Sequence, residues 1–336
     1  MNSFLKQVIT NVDSLREGCI CYNGFVFTAL THPRNVYDAI VIHTVPECKE
    51  RPRLKRSMLS IHDHVRFINE HSIDKAVIFA DSIEFVLQCP SLKHISVTPI
   101  NAVGNGFDFS PLYHMPAIKD LTCHTVYGDR MQFRSSVDYS RIRGLEELGV
   151  YNGGHISFNK VQDLKSLHIS TIEATNLYEV FCSKKLDTLR IVQCGIRSLR
   201  GIEQSEKIQC VYLHYNRVLS DISDLSKVSK TLRALRIENC PKVSDFEVLA
   251  ELENLELLEL SGKNTLLNLS FLKGLKNLKT FIFNMNVLDG DLTECLNLQY
   301  VACLKNRKHY NLKDADLPKR IFVRGNENIE LWRRME

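Results

Sequence analysis

Two short motifs are the first candidates for metal chemistry. His62-Asp63-His64 places two imidazole rings two residues apart, and a single residue separates Cys19 from Cys21. Two histidines on one helix can share a metal only when they are three or four residues apart, because only then do they point to one face. Cys19 and Cys21 have no second cysteine pair at zinc-site spacing. We therefore predict solvated histidines, buried thiols and no metal site.

Catalytic motifs are missing from the sequence as well. There is no G-x-S-x-G nucleophile turn, no G-x-x-x-x-G-K-[S/T] phosphate loop, no H-E-x-x-H zinc motif and no dinucleotide-binding glycine motif. We expect a non-enzyme that has no catalytic residues, no cofactor and no small-molecule substrate.

The charge of the chain is nearly balanced. A formal net charge of +4 over 336 residues gives no strong attraction to nucleic acid or to an anionic membrane. The densest basic run, interrupted by acidic residues, comprises Lys49, Arg51, Arg53, Lys55 and Arg56. We interpret this run mainly as a solvent-exposed segment that leads into a helix. Contact with nucleic acid or with an acidic partner is the alternative.

Targeting signals and cysteine usage suggest a compartment. The first residues lack the pattern of a signal peptide, and no stretch approaches 18 consecutive apolar residues. The 11 cysteines are an odd number and are spread singly along the chain, which favours reduced, buried thiols. The prediction is a cytoplasmic protein that does not bind membranes.

A repeated pattern organises the chain between Leu186 and Asn306. Each unit approximates L-x-x-L-x-L-x-x-N, and successive units begin 22, 24, 23, 23 and 20 residues apart. The six clear units begin at Leu186, Ile208, Leu232, Leu255, Leu278 and Leu298. Weaker units begin at Ile73, Leu92, Ile118, Leu145 and Leu164, which gives about eleven in all.

This pattern resembles the leucine-rich repeat family, in its stand-alone intracellular type with repeats of about 22 residues. The resemblance implies an α/β fold, a curved solenoid with a parallel β-sheet on its concave face. Short helices, 3₁₀ turns and loops would form the convex face. It also implies a protein-binding role as an adaptor, regulator, inhibitor or toxin-neutralising immunity protein.

Strand geometry assigns a direction to each position of the repeat. Residues at the fourth and sixth positions point into the core, so residues at the third, fifth and seventh positions point outward. Asparagine at the ninth position can satisfy buried backbone groups at the turn.

The outward positions near the middle of the array combine basic and aromatic side chains. Tyrosine and arginine dominate the energetics of many interfaces, and a strand ladder would hold them rigidly. The predicted partner-binding residues are His168, Arg190, Tyr212, His214, Tyr215 and Arg236. We expect a folded protein partner with an acidic or tyrosine-rich patch, bound by a monomer of this chain.

Three segments follow from these patterns. Residues 1–70 are predicted as an α+β cap or small domain, with helices at 3–16 and 54–69, a hairpin at Asn23-Gly24 and a strand at 36–45. Residues 71–308 form the array, and 309–336 form a C-terminal cap onto which Trp332 folds back. The alternative for residues 1–70 is an effector or small enzymatic domain that the repeats deliver.

Overall fold

A computed structural model describes residues 14–16, 19–28, 38–44, 57, 59–100, 107–124, 137–154, 161–180 and 183–319. The chain forms two compact units, Met1–Gly153 and Gly154–Glu336. The basic run at 49–56, Trp332 and most of the helix predicted at 3–16 lie outside the described residues. Within that predicted helix, residues 14–16 form a strand instead.

In its described residues, the first unit contains a mixed sheet and one α-helix, α1 (Ile61–His71). Its strands are β1 (Ser14–Arg16), β2 (Cys19–Tyr22), β3 (Phe25–Thr28), β4 (Ala39–His43), β5 (Lys75–Ala80), β6 (His94–Pro99), β7 (Asp120–His124) and β8 (Glu147–Gly154). Neighbours from β1 to β4 pair antiparallel, whereas neighbours from β4 to β8 pair parallel. Its 3₁₀ helices span Glu84–Gln88, Ser110–His114 and Tyr139–Arg141.

The hairpin between β2 and β3 confirms the prediction at Asn23-Gly24. Both residues have positive φ, 48° at Asn23 and 82° at Gly24. Such a turn twists in the same sense as the strands it joins, which is why this dipeptide is favoured there. The third predicted strand is also present but shorter, since β4 covers only Ala39–His43.

The helix predicted at 54–69 begins later, at Ile61. The Ser60 hydroxyl accepts a hydrogen bond from the Asp63 amide, and the Asp63 carboxylate accepts one from the Ser60 amide, both at 3.1 Å. This reciprocal cap satisfies two amides that a helix start leaves unpaired. The start of α1 is therefore set by the cap at Ser60, and not by the helical spacing of apolar residues from which the earlier start was predicted.

The second unit repeats one parallel strand and one 3₁₀ helix. The strands of its main sheet are β9 (Ser166–Ile172), β10 (Thr188–Val192), β11 (Cys210–His214), β12 (Ala234–Glu238), β13 (Leu257–Ser261), β15 (Thr280–Phe283) and β17 (Tyr300–Cys303). A two-stranded ladder joins β14 (Thr265–Leu266) and β16 (Asn286–Val287). The 3₁₀ helices are Leu177–Glu179, Ile202–Gln204, Ser223–Val228, Glu247–Glu251, Ser270–Gly274, Thr293–Asn297 and Asp314–Asp316.

The core of the second unit lies behind the strands, as the repeat pattern predicts. Fourth-position residues pair in register from Leu189 through Val211, Leu235 and Leu258 to Phe281, and all are fully buried. Apolar residues of the 3₁₀ side close the core from behind. The predicted solenoid architecture, with a parallel sheet on one side and 3₁₀ turns on the other, is therefore confirmed.

A buried asparagine performs the predicted capping role in one turn. Asn216 is fully buried; it accepts a hydrogen bond from the Cys194 amide at 3.0 Å and donates one to the Ile191 carbonyl at 2.9 Å. The ninth position does not perform this role in every repeat. The amide of Gly262 donates at 2.7 Å to Asn284, the seventh residue of its repeat.

The cysteines of the described residues are buried. None of these nine residues, Cys19 and Cys21 among them, forms a disulfide within the part of the chain that the structure describes. Burial raises the pKa of Cys123 and Cys295 to about 12, so both thiols stay protonated at neutral pH. The described part of the chain contains no helix with the length and apolar character that a membrane crossing requires.

Segment boundaries at residues 70 and 308 stay predictions. The strands β4 and β5 lie on either side of residue 70 and pair directly with each other.

Candidate functional site

Strand register brings the fifth-position residues together on the outward face of the second unit. His168 pairs with Arg190, Arg190 with Tyr212, and Tyr212 with Arg236. The row continues to Glu259. These four predicted residues therefore form one contiguous row of side chains. Together with His214 and Tyr215, at the end of β11, they make up what we call the strand-face strip (His168, Arg190, Tyr212, His214, Tyr215 and Arg236).

Tyr212 lies between two guanidinium groups. The Arg190 Cζ atom is 4.6 Å and the Arg236 Cζ atom 4.7 Å from the centre of the Tyr212 ring. A cation over an aromatic ring is attracted by the negative charge of the ring face. Tyr212 is only 4% exposed as a result. It is therefore a rigid element beneath the surface, whereas the sequence predicted an accessible anchor.

Two carboxylates, Glu238 and Glu259, contact Arg236 of the strip. The Tyr212 hydroxyl donates to Glu238 Oε2 at 2.8 Å, and Arg236 Nη2 lies 3.1 Å from the same oxygen. Arg236 Nε lies 2.9 Å from Glu259 Oε2. The predicted basic character is therefore offset at Arg236 by two carboxylates that lie beside the strip. These carboxylates could have been found from the sequence, since Glu238 and Glu259 both occupy outward positions of their repeats beside Arg236.

Burial shifts the titration of this network. It raises the pKa of Tyr212, and the hydrogen bond that the neutral hydroxyl donates to Glu238 raises that pKa further. Burial also raises the pKa of Glu259, although Arg236 opposes the change. The pKa of His214 is lowered, chiefly by burial and despite Glu238. At neutral pH the strip therefore presents a neutral tyrosine and a neutral imidazole.

The exposed part of the strip lies where β11 ends. His214 Nε2 is 3.4 Å from Glu238 Oε1, and its ring is 5.4 Å from the Tyr212 ring and 4.4 Å from the Tyr215 ring. Tyr215 is 40% exposed. The exposed Tyr215 ring thus contacts the partly buried His214 ring, which in turn stacks on the buried Tyr212 ring.

The backbone at Tyr215 belongs to a row of left-handed residues. Thr171 lies at the end of β9, and Gln193, Tyr215 and Asn239 directly follow β10, β11 and β12; their φ values are 56°, 52°, 52° and 53°. The Tyr215 amide donates to the Glu238 carbonyl at 2.9 Å, and Gln193 and Asn239 make the equivalent bond to the next repeat. We call these four residues the left-handed row. For Gln193, Tyr215 and Asn239, this hydrogen bond to the next repeat restrains the backbone from which the side chain projects.

The other sequence candidates lie apart from this strip. In α1, His62 is exposed, whereas His64 is fully buried and its Nδ1 donates to the Ser60 carbonyl at 2.8 Å. The prediction that both histidines are solvated is therefore wrong for His64. Within the described residues, no cluster of three or more histidine, cysteine or acidic side chains has the arrangement of a metal site.

One parallel strand per repeat, a 3₁₀ return and a stacked leucine core define the leucine-rich repeat fold. No protein-family model matches the sequence, and no curated protein matches it. Similar solved structures include an internalin (inlF) from Listeria monocytogenes, with 18% identity and a TM-score of 0.49 over 68% of this chain and 65% of that chain. The plant peptide hormone receptor RGFR1 in complex with RGF2 has 13% identity and a TM-score of 0.33 over 86% of this chain and 60% of that chain. The leucine-rich repeat domain of the type III effector XopL has 12% identity and a TM-score of 0.23, covering 80% and 83% of the two chains.

Proposed function

We propose that this chain is a non-catalytic protein-interaction module, and that it binds a folded protein partner through the strand-face strip. The observation that carries the proposal is the position of Tyr215. Tyr215 is 40% exposed, its backbone is left-handed, and its amide donates a hydrogen bond to the Glu238 carbonyl. Partner contact at this ring would bury apolar area while little conformational freedom is lost.

The network beneath Tyr215 gives the proposed site its rigidity. His214 and Tyr212 are bonded or paired to Glu238, and Arg236 joins Glu238 to Glu259. Side chains already held in place pay less ordering entropy when a partner binds. The accessible groups are an aromatic ring, an imidazole and the edge of the ion network around Arg236. A partner surface with a tyrosine or a small acidic patch would complement them.

Site-specific crosslinking tests the proposal. A photoreactive phenylalanine analogue in place of Tyr215 should crosslink a partner in extracts of the native cell. In a separate pull-down, Tyr215→Asn should weaken partner capture about tenfold, because an exposed tyrosine at an interface centre often contributes more than 1 kcal/mol. Asparagine is chosen because it tolerates a left-handed backbone.

Tyr178 supplies the matched control. It is 46% exposed but lies in a 3₁₀ helix, on the side of the unit opposite the strand face. Tyr178→Ala should leave partner capture unchanged. Equal loss in both variants, or crosslinking from position 178 but not from position 215, would contradict a site on the strand face.

A further inference from the structure

A polar cleft of about 340 Å³ lies where β12, β13 and β15 begin. Tyr215, by contrast, lies where a strand ends. None of the cleft's residues belongs to the strand-face strip. Seven side chains line it, all of them polar or charged: Lys230, Thr231, Arg233, Asn254, Glu256, Asn277 and Lys279. Such a lining disfavours an apolar ligand, because each buried polar group would lose its hydration.

Glu256 is the single carboxylate of the cleft. It is only 7% exposed, accepts a hydrogen bond from Arg233 Nε at 2.6 Å, and accepts one from Lys279 Nζ at 2.7 Å. Burial acts to raise the pKa of Glu256, but the bonds from Lys279 and Arg233 outweigh it and lower the pKa. One negative charge therefore lies between two positive charges.

Lys230 adds a third cation to the lining. It lies one repeat before Glu253 and Asn254, and its side chain is exposed. Three cations and one carboxylate leave the cleft with a net charge of +2. An anion in the cleft would gain Coulomb energy from Lys230, Arg233 and Lys279 at once.

The two asparagines make the walls of the cleft rigid. Asn254 Nδ2 donates to the Lys230 carbonyl at 2.9 Å, and Asn277 Nδ2 donates to the Glu253 carbonyl at 2.9 Å. Asn277 also donates to Asn254 Oδ1 at 3.2 Å. The walls are thus ordered before any ligand arrives, which lowers the entropic cost of binding.

We infer that this cleft binds an oxyanion, the carboxylate or phosphate group of a charged ligand. The group would lie on the Lys230 and Arg233 side, away from the Glu256 carboxylate. Its source is either a small free anion or an acidic side chain of a peptide. The site is independent of the proposed protein-binding strip.

Nuclear magnetic resonance titration of the full chain distinguishes these sources. Inorganic phosphate is one probe and a triglutamate peptide is the other, both at low ionic strength. We expect saturable shifts at the side-chain amides of Asn254 and Asn277 and at the backbone amides of Lys230 and Thr231. Shifts with phosphate indicate a small-anion site, and shifts with triglutamate alone indicate an acidic peptide.

Two lysine substitutions decide whether the cleft is responsible. Lys230→Gln should weaken binding about fivefold, since one exposed ion pair contributes up to about that factor. Lys242→Gln, at an exposed lysine outside the lining, should leave the affinity unchanged. The inference is overturned if neither probe gives saturable shifts, or if Lys230→Gln binds as tightly as the parent protein.

Discussion

The Tyr212 hydroxyl donates a hydrogen bond to the Glu238 carboxylate, 26 residues further along the chain, at 2.8 Å. The two residues occupy neighbouring strands, and Arg236 and His214 approach the same carboxylate. Because neighbouring repeats stack, two residues about one repeat apart in sequence have side chains in contact. The contact fixes the strip and also makes its parts interdependent.

Loss of this hydroxyl should destabilise the second unit. Tyr212→Phe keeps the ring between Arg190 and Arg236 but removes the donor to Glu238. We expect the free energy of unfolding to fall by about 1–2 kcal/mol, because hydrogen bonds to charged groups contribute more than neutral ones. Urea unfolding measures this. Tyr215→Phe, at the exposed ring, should change stability by less than about 0.5 kcal/mol, and a similar loss in both variants would refute the assigned role.

Asn216 should be among the least replaceable polar residues. Asn216→Ala leaves the Cys194 amide and the Ile191 carbonyl without their partner, so we expect a loss of about 2–4 kcal/mol. Chemical unfolding again provides the measurement. Cys240 is the comparison at the next turn, since its thiol lies at the longer distances of 3.5 and 3.7 Å from two carbonyl oxygens. Cys240→Ala should cost about 1 kcal/mol, and an equal or larger loss would contradict this assignment.

Gly274 is required by close packing between repeats. A β-carbon there would lie 2.8 Å from the Ala250 carbonyl carbon and closer still to its oxygen. Since the obstacle is backbone, Gly274→Ala should lower the free energy of unfolding by about 2–4 kcal/mol. Thermal unfolding would show it as a lower Tm. The neighbouring exposed Lys273→Ala should have little effect, and a Gly274→Ala protein as stable as the parent would show that the repeats can separate.

His64 should make stability depend on pH. Burial lowers the pKa of His64 below its ordinary value of 6.5. The unfolded chain then binds the proton more readily than the folded chain, so stability is complete above about pH 6.5 and falls as the pH decreases. Its Nε2 atom has no hydrogen-bond partner in the part of the chain that the structure describes, so a proton there would be unsatisfied.

Unfolding by urea at several pH values between 7.5 and 5 measures the effect. His64→Gln should reduce the slope of stability against pH. His62→Gln, at the exposed position two residues earlier, should retain the slope of the parent protein. If the two variants show the same slope, the buried imidazole does not account for the acid sensitivity.

The sequence predicted the repeat core because that core depends on local spacing. Leucine-like residues at the fourth and sixth positions must point to one face of a strand, so Leu189 and Ile191 could be assigned to the core without coordinates. The same alternation placed His168, Arg190, Tyr212 and Arg236 on the opposite face. Register then aligned them because successive repeats have nearly equal length.

Features that depend on contacts between repeats could not be assigned in the same way. The exposure of Tyr212 depends on arginines from both neighbouring strands, and the charge of the strip depends on Glu238 and Glu259. The acceptor for the Gly262 amide is Asn284, two residues before the ninth position of its repeat. The polar cleft combines residues of three repeats at positions before each strand, where the repeat pattern carries no consensus.

The left-handed row limits how this surface can be altered. A residue other than glycine in this backbone region costs about 1–2 kcal/mol. Glycine at Thr171, Gln193, Tyr215 and Asn239 would recover part of that energy at each position, but the substitutions would remove every side chain the row presents. Selection for thermal resistance and selection for recognition would therefore act in opposite directions on the same four codons.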